Sequence, residues 1–208
     1  MSMYTPRLFA IEERAAIARL MHDHPFATLV TPGASEAHVS HLPLLFVPDR
    51  EPHGTLLGHM ARANPHWEHA RSAPSLAIFQ GPHAYVSPSW YGEPAKAVPT
   101  WNYTAVHVSG TLEIIDDAVE TRQILDALVQ RFEGQREAPW QFAMPVRERD
   151  ALVAAIVAFR MRIHEVTAKF KLSQNRPPAD RVRVADALDR EGYADATAVA
   201  QWMRDYSR

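Results

Sequence analysis

Between Gly81 and Tyr103 the sequence reads GPHAYVSPSWYGEPAKAVPTWNY, and the prolines at 82, 88, 94 and 99 exclude a continuous helix through it. Each proline fixes φ and removes an N–H donor, so the backbone here is extended or looped and stiff. Tyr85, Trp90, Tyr91, Trp101 and Tyr103, with His83, are displayed on that backbone. Such a set suits a flat organic ligand. Ring faces cover a conjugated system, while Trp N–H and Tyr O–H groups take polar partners at its margin. A strand and loop lining a core would use the same residues, and the segment alone leaves both readings open.

The flanking pattern is mostly β. Short apolar runs at Phe26 to Thr31, His38 to Val47 and Thr55 to Met60, separated by Pro32-Gly33 and Pro52-His53-Gly54, predict an antiparallel meander. Ser75 to Gln80, Ala84 to Ser87 and Thr100 to Ile115 continue it, and Met161 to Val166 adds a further strand. Helices are predicted over Ile11 to Met21, from an Asn64-Pro65 start to about Arg71, and over Ala118 to Phe132, where Asp117 and Glu120 form a capping box. Three more are expected at Arg147 to Phe159, Asp180 to Glu191 and Ala196 to Tyr206. The fold class is α+β, mainly β: a barrel with peripheral helices and a C-terminal helical tail. Residues 1–178 are expected to form the barrel domain, and residues 179–208 a helical extension packed on it.

Composition narrows the chemistry. With 208 residues and 47% hydrophobic content the chain can bury a core of its own. It has no cysteine, which excludes disulfides, thiolate metal sites and cysteine nucleophiles, so redox chemistry requires a bound cofactor. The net charge of -2 gives no general attraction for nucleic acid. The eleven histidines include no HExxH and no zinc-type spacing, so no metal is expected. No apolar run approaches the roughly 20 residues that span a bilayer. The N-terminus lacks a basic region followed by an apolar core, and a cytoplasmic location is expected.

Four patches carry chemistry. In Val39-Ser-His-Leu-Pro-Leu-Leu45, Ser40 and His41 interrupt an apolar strand, which offers a ligand edge both backbone and side-chain polar groups; a satisfied core histidine reads the same way. In Gly58-His-Met-Ala-Arg-Ala-Asn-Pro-His-Trp67, a strand end, an arginine and a helix start together favour a phosphate, against the alternative of Arg62 as a surface cation and Met60 as core. In Val98-Pro-Thr-Trp-Asn-Tyr103, the Trp101 face covers a ring and the Asn102 amide both donates and accepts at its edge. In Lys169-Phe-Lys-Leu-Ser-Gln-Asn-Arg176, three cations among polar residues can close over an anionic or polar ligand, or form a solvated basic loop.

In this order the blocks HLPLL, GHMARANPHW, GPHAYVSPSWY, VPTWNYTAVHVSG and KFKLSQNR, with the opening Met3-Tyr-Thr-Pro-Arg-Leu-Phe9, resemble the PaiB family of FMN-binding negative transcriptional regulators. The resemblance covers most of the chain and implies a split β-barrel related to pyridoxamine-phosphate-oxidase-like flavoproteins, as a homodimer with FMN at the subunit interface. Carried onto this sequence, it places Arg62 at the phosphate with His59, Met60, Ala61 and Asn64 beside it. Ser40, His41 and Leu42 would lie along the flavin ring, and Trp101, Asn102, Lys169, Lys171 and Gln174 would complete the pocket.

The resemblance implies a regulator that binds FMN. Arg181, Arg183 and Arg190 in the tail do not build a dense basic face for DNA, and a helix pair docked on the barrel through Val184, Leu188, Val199, Trp202 and Met203 is the better reading. The alternative is a flavin-dependent oxidoreductase acting on a small molecule with NAD(P)H, in which the protein orients the ring and sets the charge around it.

Overall fold

In the computed structural model, residues 3–48, 53–141 and 143–206 are described. In chain order the elements are β1 (Ala10–Ile11), α1 (Arg14–Asp23), β2 (Phe26–Pro32), β3 (Ala37–Pro43), β4 (Leu45–Val47), β5 (Thr55–Ala61), α2 (His66–Ala70) and β6 (Ser75–Val86). There follow β7 (Thr100–Ile115), α3 (Ala118–Glu133), α4 (Val146–Ala154), β8 (Ile156–Lys171), α5 (Pro178–Glu191) and α6 (Ala194–Asp205). Hydrogen bonding joins the strands in the order β3-β2-β6-β7-β8-β5-β4, with β1 beside β8 and the path open at both ends. The residues group into two compact units. The first comprises Pro25–Ile78 and Val108–Val166; the second comprises the chain up to His24, Phe79–His107 and the chain from Thr167.

In the first unit, β2 and β3 form an antiparallel hairpin from Phe26↔Pro43 to Pro32↔Ala37. Its period-two alternation sends Ala27, Leu29 and Thr31 inward with Ser40 and Leu42. The predicted meander does not continue from there. The strand expected over His38 to Val47 breaks at Leu44, and β5 pairs with β4 and β8. Pro52, part of the expected turn before β5, lies outside the described residues. Strand β5 is buried along most of its length because it is flanked on both edges. Helix α3 docks with Ile124 and Leu128 against Leu57 and Ala158, closed in by Leu45, Val47 and Ile115. Asp117 caps it by accepting from the Glu120 N–H at 2.7 Å, while the Glu120 carboxylate pairs with Arg160.

The helix expected over Arg147 to Phe159 stops at Ala154, and β8 starts at Ile156, ahead of the strand expected over Met161 to Val166. Cross-strand pairing explains it: Ala61↔Ile156 through Thr55↔Arg162 supplies this segment with backbone partners that a helix would have to forgo. Only residues 156–162 take part in that pairing; β8 itself continues to Lys171.

In the second unit, Ala10 and Ile11 pair with Lys169 and Ala168, so α1 begins at Arg14 and not at Ile11. Strand β6 runs without a break through Gly81-Pro82, and a side chain at Gly81 would collide with the Thr104 hydroxyl. Helix α5 ends at Gly192, whose φ of +73° is the left-handed cap that glycine adopts without strain. Phe170 meets the rings of Trp202 and Tyr206 edge-on at 5.1 and 5.3 Å, and those two rings stack at 5.2 Å. Arg19 lies over Trp202 and donates to Asp205 at 2.8 Å, tying α1 to α6. Among the described residues, no helix is long and apolar enough to cross a membrane.

Candidate functional site

The first unit centres on His66, which is 2% exposed. Its Nδ1 lies 2.8 Å from the Ser40 hydroxyl and its Nε2 2.8 Å from Thr31 Oγ1, which in turn meets Ser75 Oγ at 2.6 Å. Asn64 closes the arrangement. Its Nδ2 donates to Ser40 Oγ at 2.9 Å and its Oδ1 accepts from the His66 N–H at 3.0 Å. Both ring nitrogens therefore face hydroxyls and neither faces a carboxylate. Burial, with His38 and His69 nearby, pushes the His66 pKa down to about 4, so the ring is neutral at physiological pH. His38 and His69 stack at 3.6 Å. Among the described residues no group of histidines and carboxylates is arranged to hold a metal ion.

Arg62 follows the last residue of β5, its guanidinium turned onto backbone. Nε donates to the Ala154 carbonyl and Nη2 to the Ile156 carbonyl, both at 2.8 Å, which caps the end of α4. It also borders a cavity of about 270 Å³ whose wall includes Thr121, Arg122 and Asp150. The expected helix start is shorter than its sequence implied. Helix α2 covers five residues, its N-cap is Pro65, and Asn64 bonds the His66 N–H as a turn, which leaves little helix dipole for a phosphate. Ala61 is exposed and Met60 belongs to the core at 2% exposure. His59 is half-buried, its Nδ1 is buried with no partner, and burial lowers its pKa. On β3, Ser40 and Leu42 point inward, while His41 lies on the outer face beside Thr28 at 3.1 Å and stacks on Phe26.

The second unit collects the remaining expected residues. Trp101 is 52% exposed, with Tyr85 edge-on at 6.0 Å and His83 at 6.2 Å. Lys171 donates to Thr100 Oγ1 at 2.7 Å and to the Trp101 carbonyl at 2.5 Å. Burial first, then the charges of Lys169 and Arg176, lower its pKa. Lys169 donates to the Tyr4 carbonyl at 2.9 Å and lies over the rings of Tyr4 and Tyr103. Asn102 is fully buried and spends its amide on Ser173, while the Gln174 side chain bonds the Leu172 N–H and the Phe170 carbonyl. These two amides hold the turn after β8. Ser173 sits there at φ 66°, a left-handed conformation that costs a non-glycine residue about 1 kcal/mol.

Sequence reasoning missed the His66 network. Its members, Thr31, Ser40, His66 and Ser75, are far apart in the chain and share no local spacing, so only the β2–β3 and β2–β6 pairings reveal them. What the residues can do is consistent with a flavin. The second unit shows an exposed indole face beside Lys171, which donates to a hydroxyl and a carbonyl, and the first holds a buried imidazole nitrogen with no partner.

Two solved structures share the fold. The FAD and heme binding protein from Mycobacterium smegmatis superposes with a TM-score of 0.62 at 20% identity, covering 83% of this chain and 78% of that one. The flavocytochrome Anf3 from Azotobacter vinelandii gives 0.64 at 14% identity, covering 82% and 72%. The architecture is thus the split barrel of flavin-binding proteins, with a mainly antiparallel eight-stranded sheet. A family profile described as "Putative FMN-binding domain" matches residues 3–165. The "Protease synthase and sporulation protein PAI 2" of Bacillus subtilis is 33% identical over 98% of this chain and 97% of its own. An uncharacterized Aspergillus fumigatus protein is 28% identical over 98% and 97%. The chain belongs to this FMN-binding family, whose match assigns FMN as the cofactor.

Proposed function

We propose that the chain is a PaiB-like negative transcriptional regulator that holds FMN and works in the cytoplasm as a homodimer. The observation that carries the flavin part is the exposed Trp101 face beside Lys171, whose ammonium donates to a hydroxyl and a carbonyl. Trp101 covers the ring, and Lys169 and Lys171 supply positive charge at its polar edge, while Asn102 and Gln174 hold the turn that positions them. The family resemblance also assigns Ser40, His41, Leu42, His59, Met60, Ala61, Arg62 and Asn64 to the cofactor, with Arg62 toward the phosphate; to serve there Arg62 has to release the Ala154 and Ile156 carbonyls. Bound FMN supplies reversible electron transfer, and a nearby cation favours its reduced, anionic form. The regulatory part is supported by the extent of similarity to the Bacillus protein.

A second reading, a flavin-dependent oxidoreductase using NAD(P)H, is favoured by one observation. Helices α5 and α6 mix Asp180, Asp186 and Asp189 with their arginines and pair them, Arg183 with Asp180 and Arg204 with Asp189, so no uniformly basic face is available for DNA. Retention of DNA from upstream of the chain's own gene by the FMN-loaded protein separates the two. The regulator predicts binding that survives competitor DNA at physiological salt. Binding that vanishes with modest salt, together with FMN-dependent NAD(P)H oxidation requiring a second substrate, supports the enzyme.

A further inference from the structure

The turn after β8 carries more positive charge than the flavin reading uses: Lys169 and Lys171 keep donors to spare, and Arg176 has no part in that reading. Lys169 and Lys171 are two apart on a strand, so their side chains leave one face of it. Beyond Lys171 the chain turns through Ser173, and Arg176 returns with its N–H on the Ser173 carbonyl at 2.9 Å and its guanidinium 4.5 Å from the Tyr91 ring centre. The three charges are close enough that Lys169 and Arg176 both disfavour the charged form of Lys171. Like charges held together need a counter-charge or a cost elsewhere. Among the described residues, none of the three has a carboxylate within ion-pair distance. Asp180 feels the charge of Arg176, but its Oδ1 is already taken by the Gly92 N–H and Arg183, both at 2.8 Å.

Donor capacity is also left over. An ammonium has three donors and a guanidinium five. Lys169 uses one on the Tyr4 carbonyl and Lys171 uses two, on Thr100 and Trp101. Arg176 makes no side-chain hydrogen bond among the described residues; its recorded contact is the Tyr91 face, and the Tyr91 hydroxyl, on a residue 5% exposed, is buried with no partner. The turn is preorganised by Asn102 and Gln174 and accepts a left-handed serine to keep its shape. A planar fork beside two ammonium groups, on rigid backbone, matches a tetrahedral oxyanion carrying more than one charge.

We infer that Lys169, Lys171 and Arg176 form a binding site for a phosphate-class oxyanion distinct from the phosphate of FMN. The ligand is a small phosphorylated substrate or effector, or inorganic phosphate itself, presented beside Trp101. The place of this anion next to a flavin rests on the proposed function; the anion chemistry does not.

Calorimetric titration of inorganic phosphate at constant ionic strength, into the protein with and without FMN, tests it. The inference predicts saturable binding in both forms, weakened about tenfold or more by Arg176→Gln and less by Arg176→Lys, with Lys171→Gln as a second variant should the first not fold. Phosphate that FMN displaces one for one would make the cluster the cofactor's own phosphate seat and overturn the inference. So would no saturable binding, or binding indifferent to all three variants. Phosphate binding that depends on Arg176 in a protein that never takes up FMN would leave the inference standing and remove the flavin reading.

Discussion

Gly110→Ala lowers the unfolding free energy by about 3 kcal/mol, the upper end of the cost of forcing extra volume into a packed interior. Gly110 lies within β7, and a methyl group there falls on the carbonyl oxygen of Arg162 in β8, with Met161 Cε 3.2 Å away. The obstacle is backbone inside a hydrogen-bonded sheet, so it cannot rotate aside as a side chain does. Gly92 supplies the contrast. A methyl group there meets the Arg183 guanidinium at 2.9 Å, the far end of a flexible chain, and Gly92→Ala should change stability by no more than about 0.5 kcal/mol. Urea denaturation of both variants checks the pair. A Gly110→Ala protein within 1 kcal/mol of the parent would mean that β7 and β8 do not approach as closely as described.

Acid is expected to weaken the first unit through His66. Its pKa is about 4 in the fold against 6.5 as an ordinary histidine, so between those values the unfolded chain binds more protons than the folded one. The contribution to stability is complete above pH 6.5, declines as pH falls and levels off below about 4. The shift corresponds to about 3 kcal/mol for a ring this well buried. His24, His59 and His107 are also lowered, chiefly by burial, and act with the same sign. Denaturant midpoints measured from pH 7 to pH 4 should therefore fall steadily. In His66→Gln, less stable at pH 7, the larger part of that slope should be lost; an unchanged slope would show that burial beside His38 and His69 does not keep the ring neutral.

Much of the fold was legible because its signals are local. Strand β7 matches its predicted span, and Asp117 caps α3 where the Asp117 and Glu120 pattern places the helix start. The misread parts are those decided by distant partners. Residues 156–159 carry a helix-compatible apolar pattern, and pairing with the distant β5 makes them a strand. The five-residue α2 was overestimated because an Asn-Pro start says where a helix can begin but not how far packing sustains it.

The candidate residues divide in the same way. Trp101 could be singled out as an aromatic on stiff, proline-punctuated backbone, and it is exposed, although Tyr91 in the same segment is buried. Arg62 could be singled out as a cation near a helix start, but its engagement with the Ala154 and Ile156 carbonyls depends on a segment some ninety residues later. His66 had no local signature, since its hydroxyl partners come from β2, β3 and, through Thr31, β6.

Fluorescence titration of FMN into the purified protein, beside Trp101→Ala, decides whether this chain holds FMN with Trp101 against the ring. Saturable quenching of flavin emission at one FMN per chain is expected, with affinity reduced about tenfold or more in the variant. Flavin emission left unchanged by the parent protein, or affinity identical in the two proteins, would contradict it.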